Sequence, residues 1–208
     1  GECSVCALTL VPMPAPATVN QPWWSYDIGI IHFVGISTEH NFSIGSPQYR
    51  WLEKDLSLTN RNITPWIVFS GHRPMYVDSE DCCALGTTEV CSAAGLPCTP
   101  GYDVEVMDEL KASVEPLLYK YRVNLAFAGH FHNVQRQSAV YQNTLVQTAV
   151  ETTDDEGNEL FVHNNPNATV HMVVGSAGNG PVDSSHNYTW SAKYWNNVFG
   201  YAVLTATN

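Results

Sequence analysis

Positive charge is scarce in this chain of 208 residues. Nine Lys and Arg stand against 20 Asp and Glu, for a formal net charge of −11. Such a surface repels the phosphates of nucleic acid and anionic membrane, and no local run of Lys or Arg offsets it, so neither partner is expected. No apolar run is long enough to span a membrane, and no signal peptide is visible. No initiator Met precedes Gly1, as expected of a processed chain or one that starts mid-protein. Internal repeats and low-complexity segments are absent. Neither a Ser-His-Asp elbow nor a P-loop occurs, which leaves the other common hydrolase routes without support. What is present is apolar: 44% of residues are hydrophobic and only 14% charged, enough for a sizeable core.

Six cysteines occur, at Cys3, Cys6, Cys82, Cys83, Cys91 and Cys98. Asn-x-Ser/Thr sequons begin at Asn41, Asn62, Asn167 and Asn187. Each sequon alone is weak, and chance matches in an intracellular protein are the bland explanation. Together with the even cysteine count they favour an oxidising compartment, secreted or secretory and lysosome-like, with disulfides and glycans. Connectivity is not readable from spacing. Cys91 and Cys98 can close a short loop, and Cys3-x-x-Cys6 reads as structural because no second pair at zinc spacing follows.

Residues 1–22, rich in Pro and small residues, read as an irregular lead-in. Ile30 to Ser37 is a short apolar, β-branched run and predicts a buried strand. Ser46 is a good N-cap and Pro47 suits the first helical position, so a helix is expected through QYRWLEKDLSL. Pro65 to Ser70 predicts the next strand. Residues 73–102 form a long loop carrying four of the cysteines. From Asp103, Met107, Leu110, Val114, Leu117 and Tyr121 recur every three or four residues and predict a helix, which Pro116 should kink or loosen by one turn. Val123 to Ala128 predicts a third strand, and 134–150, 169–175 and 199–206 read as β-rich. Strand, helix, strand, helix, strand favours an α/β layered fold.

Two predicted strands end on histidine. His72 follows one directly; His130 and His132 follow the other in Gly129-His130-Phe131-His132. Side chains at strand C-terminal ends line the ligand crevice of α/β sheets. In His-x-His on extended backbone both rings share a side, so three imidazoles can meet around one point. Neutral imidazole suits zinc, iron and other borderline metals. A lone His72 would more often be a satisfied structural histidine; the three together favour a metal.

His72-Arg73-Pro74-Met75-Tyr76 resembles the fourth metal motif of the purple acid phosphatases. Gly129-His130-Phe131-His132-Asn133-Val134-Gln135-Arg136 resembles the fifth. Trp24-Ser25-Tyr26-Asp27, Ser37-Thr38-Glu39-His40, Gly45-Ser46-Pro47 and Val174-Gly175-Ser176-Ala177-Gly178-Asn179 agree with the same family in order and spacing, so the resemblance runs nearly the whole chain. It implies a layered αββα metallophosphoesterase sandwich, of which residues 1–208 are the second, C-terminal part of a single domain, lacking the N-terminal strands. It also implies phosphomonoester hydrolysis by a metal-bound hydroxide at a binuclear site of Fe(III) with a divalent Fe, Zn or Mn. By this resemblance His72 and His130 bind the divalent ion and His132 the ferric one.

The chain departs from that family in what it omits. The family's Gly-Asp-x-Gly, Gly-Asp-x-x-Tyr and Gly-Asn-His motifs do not occur, and Asp27-Ile28-Gly29 precedes a strand instead of following one, so it reads as a decoy. Without a bridging carboxylate two cations cannot be held close together, so this chain alone is expected to hold at most one weakly bound metal and to be weakly active or inactive. The missing N-terminal segment of the same protein is its expected partner, and its absence should leave an apolar sheet face exposed. The general acid is unassigned: plant members carry a histidine along the loop after the first metal histidine, where an ungapped count puts Cys82 and Cys83. His40 is a candidate acid or phosphate contact, and Asn133 and Arg136 are candidate substrate contacts; structural roles compete at each. Gly175 to Gly180 is glycine-rich for tight turning. Two alternatives stay open: a mononuclear three-histidine zinc hydrolase, and a non-catalytic secreted glycoprotein that keeps the fold as a binding module.

Overall fold

The computed structural model describes residues 13–18, 20–78, 90–91, 96–97, 102–178, 188–195 and 199–207. Of the cysteines, only Cys91 lies among them, so the pairings sketched above fall outside the described residues, as does Asn187.

The first element is one the sequence reading passed over. Strand β1 (Trp24–Ile28) pairs antiparallel with β2 (Ile31–Gly35). Gly29 opens the two-residue turn between them at φ +56°, a conformation that costs glycine little. Register sets Asp27 opposite His32, and its carboxylate bonds His32 Nδ1 at 2.6 Å while Asp55 holds Nε2 at 2.9 Å. Asp27 therefore belongs to a structural ion pair, consistent with the decoy reading.

Helix α1 (Pro47–Leu58) starts as predicted, with Ser46 Oγ accepting from Tyr49 N–H at 3.1 Å. Strand β3 (Trp66–Ser70) follows. A two-stranded pairing, β4 (Val90–Cys91) with β5 (Leu96–Pro97), lies inside the long loop. Helix α2 (Tyr102–Glu109) passes through a wider π turn at Leu110–Val114 into α3 (Glu115–Lys120). Pro116 lacks the N–H that Ala112 carbonyl would receive. The helix loosens just before it, and Glu115 N–H reaches back to Leu110 carbonyl.

Strands β6 (Leu125–Ala128), β7 (Val134–Tyr141), β8 (Thr144–Gln147), β11 (Val170–Val174) and β12 (Ser191–Trp195) complete the main sheet, while β9 (Val150–Thr153) and β10 (Glu159–Val162) pair separately. The order is β1-β2-β3-β6-β11-β7-β12, with β8 on β7. β2, β3, β6 and β11 run parallel.

Val34, Ile67, Phe69 and Ala126 point from these strands into one core with Leu52 and Leu56 of α1 and the buried side of α2 and α3. Ile31, Trp66, Val68, Leu125 and Val170 point the other way. That face is covered by residues 199–207, which form no strand, contrary to the β-rich reading of 199–206. Trp66 Nε1 donates to Thr207 carbonyl at 3.3 Å, and a cavity of about 330 Å³ remains beneath the segment. Trp66 is still 41% exposed and Tyr201 86%, so the apolar face expected to be uncovered has only irregular chain over it.

Candidate metal centre

The parallel ladder between β3 and β6 continues past both strand ends. Gly71 N–H donates to Phe127 carbonyl at 3.1 Å, and Gly129 N–H to His72 carbonyl at 3.0 Å. This zipping sets His72 beside His130: Nε2 of the first lies 3.1 Å from Nδ1 of the second, with the rings edge to face at 5.0 Å between centroids. A cavity of about 360 Å³ opens beside His72, bordered by Gly35, Ser70, Ala128 and Val174 at the C-terminal ends of the four parallel strands, the usual place for a ligand in such a sheet.

The loop after β6 is not extended, which changes the His-x-His argument. His130 sits at φ +67°, unusual for a residue with a Cβ. Phe131 N–H then donates to Gly129 carbonyl at 2.8 Å and Asn133 N–H to Phe131 carbonyl at 2.9 Å, two tight local turns in succession. His130 joins His72. His132 acts electrostatically on His72, but among the described residues no group of three or more His, Cys, Asp or Glu is arranged to hold a metal ion. The expected meeting of three rings is thus realised as a pair.

Burial, and then the neighbouring His130, hold the His72 ring below the ordinary histidine range. Burial, and then the Arg73 guanidinium, do the same for His130. Neutral rings are the form that donates to a metal. Two nitrogens on one tetrahedral ion with bonds of about 2.0 Å stand roughly 3.3 Å apart, so the observed separation suits a shared ion at these two atoms.

Arg73 and Glu39, which the sequence offers only as motif flanks, border the pair. Arg73 Nη1 stands 3.3 Å from His130 Nε2, and Arg73 Nε donates to Glu39 Oε1 at 2.7 Å. Burial would raise the Glu39 carboxyl, but the hydrogen bond and charge of Arg73 outweigh it and hold it below the usual range. Thr38 Oγ1 accepts from Arg73 N–H at 3.2 Å. The signal for this group was the position of Ser37 to Glu39 just beyond the end of β2.

The other expected site residues go elsewhere. His40 Nδ1 is tied to Ser37 Oγ at 2.8 Å, within a turn. Asn133 is fully buried, donating to Tyr194 hydroxyl and accepting from Gln135 Nε2, so it braces the histidine loop instead of meeting solvent-borne substrate. Arg136 lies over the Phe161 ring, donates to Phe161 carbonyl at 3.2 Å and borders the cavity under residues 199–207. It faces away from the histidines because successive residues of β7 alternate sides. Asn41, Asn62 and Asn167 are exposed.

The fold and this pair define an α/β protein with a mixed sheet and a histidine pair at the ends of its parallel strands, and sequence comparison says which. Residues 8–134 match the family described as calcineurin-like phosphoesterase, and residues 168–208 match iron/zinc purple acid phosphatase-like protein C. The chain is 33% identical over 188 residues to "Probable inactive purple acid phosphatase 9" of Arabidopsis thaliana, covering 86% of this chain and 24% of that protein. It is 29% identical over 215 residues to a "Nucleotide pyrophosphatase/phosphodiesterase" of Hordeum vulgare, covering all of this chain and 50% of the relative. The solved purple acid phosphatase PPD1 from yellow lupin superposes with a TM-score of 0.66 at 27% identity, over 93% of this chain and 30% of that one. The chain belongs to the calcineurin-like phosphoesterases, and among them to the purple acid phosphatases, with a metallophosphoesterase fold. It spans a half or less of the length of these relatives.

Proposed function

We propose that this chain carries the histidine side of a metal-dependent phosphomonoesterase site in a secreted, glycosylated, disulfide-bearing protein. The observation that carries the reading is the 3.1 Å approach of His72 Nε2 to His130 Nδ1 at adjoining strand ends. These two residues would hold the divalent Fe, Zn or Mn ion, and His132 would serve the ferric ion. Such ions supply charge neutralisation at phosphate and a hydroxide at low pH. His72 and His130 contribute neutral donors fixed by the β3–β6 ladder, and Asn133 holds their loop in place. The carboxylates needed to offset two cations would come from the part of the relatives that this chain does not span, so the 208 residues alone bind at most one ion weakly and turn over little or no substrate. The pairing of two rings, with His132 outside the pair, favours this over a mononuclear three-histidine zinc hydrolase. A non-catalytic glycoprotein of the same fold is the reading left if no metal binds.

The test is hydrolysis of a simple aryl phosphate with metal analysis, on the 208 residues alone and on a chain extended upstream through the Asp, Tyr and Asn motifs. Turnover barely above background in the first and strong turnover with two metals in the second is expected. Strong turnover by the pure 208-residue chain, or none in the extended one, overturns the reading.

A further inference from the structure

Strand β1 has two unlike faces. Alternation along the strand puts Trp24 and Tyr26 on one and Ser25 and Asp27 on the other. On the aromatic face the Trp24 and Tyr26 rings stack at 5.3 Å between centroids, and Tyr26 stacks on Phe33 of β2 at 5.5 Å. Trp24 lies against Gly35, where a Cβ would come within 2.5 Å of the indole, and it borders the cavity beside His72. On the polar face His32 is buried between two carboxylates. Asp27 of β1 meets its Nδ1 at 2.6 Å, and Asp55 of α1 meets its Nε2 at 2.9 Å. Asp55 Oδ1 also accepts from the hydroxyl of Ser25, the residue after Trp24, at 2.6 Å. A carboxylate offers only lone pairs, and a neutral imidazole carries one N–H. Both contacts are hydrogen bonds only while His32 carries two ring hydrogens; with one, a ring lone pair faces an anion. From β3 the residue in register is Ile67, which has no charge. Asp55 and Asp27 are the charges that act on the ring: burial would lower its pKa, but the two carboxylates outweigh it and hold the ring above the ordinary histidine range.

We propose that His32 is a proton-operated latch: as an imidazolium it clasps β1 to α1 and keeps Trp24 at the cavity rim, and when it loses its second ring hydrogen as pH rises, β1 loosens. In the described sheet β1 is the outermost strand, paired on one side only, so it can open without breaking the rest of the sheet. The stabilisation is whole below the ordinary histidine pKa of about 6.5 and is lost as pH rises through the higher value of the folded chain. An acidic medium therefore fixes this wall of the cavity and a less acidic one frees it. The latch does not depend on a metal at His72 and His130.

The experiment is a titration of the full 208-residue chain between about pH 5 and 9, for the wild type, H32N and D27N. It follows the His32 ring by nitrogen-15 spectra, the Trp24 indole N–H signal, and amide exchange of residues 24–28. The wild-type ring should carry hydrogen on both nitrogens at about pH 6 and lose one above the ordinary histidine value. In D27N it should lose that hydrogen at lower pH. The β1 amides of wild type should exchange about tenfold more slowly than those of H32N at acidic pH, and the difference should shrink as pH rises. The Trp24 signal should move with the His32 titration. Equal β1 exchange in wild type and folded H32N at every pH, or a Trp24 signal indifferent to the titration, overturns the proposal. The wild-type ring spectrum decides even where a variant fails to fold: a His32 ring already neutral at about pH 6 sinks the latch.

Discussion

Gly175 stands so close to Phe131 that a Cβ on the glycine would lie 1.9 Å from the Phe131 carbonyl oxygen. Gly175 N–H also donates to Asn133 carbonyl at 3.0 Å. The turn after β11 is thus pressed against the loop that carries His130 and His132. Backbone meets backbone there, so no rotamer change can make room. Gly175→Ala should push the histidine loop aside and cost about 2–4 kcal/mol of stability. Urea unfolding checks the stability, and Zn(II) affinity checks the site; a variant with wild-type values in both would show that the approach is relieved elsewhere.

Tyr76 and Glu115 form a second buried relationship. The Tyr76 hydroxyl donates to Glu115 Oε1 and accepts from Asn143 N–H at 3.1 Å, while Glu115 is 2% exposed. Burial raises both groups above their usual ranges. Tyr76→Phe leaves a buried carboxyl and a backbone N–H short of partners, and should cost about 1–3 kcal/mol in urea unfolding. A loss below measurement error would mean that water replaces the hydroxyl.

His171 gives the pH dependence its sign. Its ring lies edge-on to Tyr76 with Nε2 unpartnered, and burial, followed by the charge of Lys111, pushes its pKa down to about 3. The unfolded chain takes up a proton near pH 6.5 that the folded chain refuses. Stability from this group is whole above that pH and is lost as pH falls toward about 3. Glu115, with its raised carboxyl, works in the opposite direction. The difference between wild type and H171L isolates the histidine: the variant should lose roughly 2–3 kcal/mol less than wild type between about pH 6.5 and 4.5. Parallel stability curves for the two proteins would contradict it.

The segment over the second sheet face is the last test. Residues 199–207 form no strand there, yet Leu204 helps to cover Val68, Leu125 and Val170. Ending the chain at Trp195 should expose that face, raise binding of an apolar fluorescent dye severalfold and promote self-association. An unchanged dye signal with a monomeric profile by light scattering would mean that the segment covers nothing in solution.

Much of the fold was legible from local signals. Ser46-Pro47 marks the start of α1, and the apolar runs before His72 and Gly129 mark β3 and β6, because capping and burial are written into adjacent residues. Pro116 announced a loosened turn, and the helix widens at Leu110–Val114. The β1–β2 hairpin was missed although it was legible: Trp24 to Ile28 alternates apolar and polar residues, and Gly29 at the first position of a two-residue turn is a hairpin signal. Residues 199–206 look like a strand by composition, but no described strand pairs with them, and β-propensity has no force without a partner.

At the site, the sequence by itself determined the chemistry on offer: imidazoles after two strands, and a shortage of the carboxylates that two cations require. Only the tertiary structure decided which nitrogens meet. His72 and His130 are 58 residues apart and become neighbours because β3 and β6 pair in parallel and end together. The β3–β6 register and the approach of Arg73 to His130 across 57 residues both depend on chain brought from elsewhere, and no local pattern encodes them.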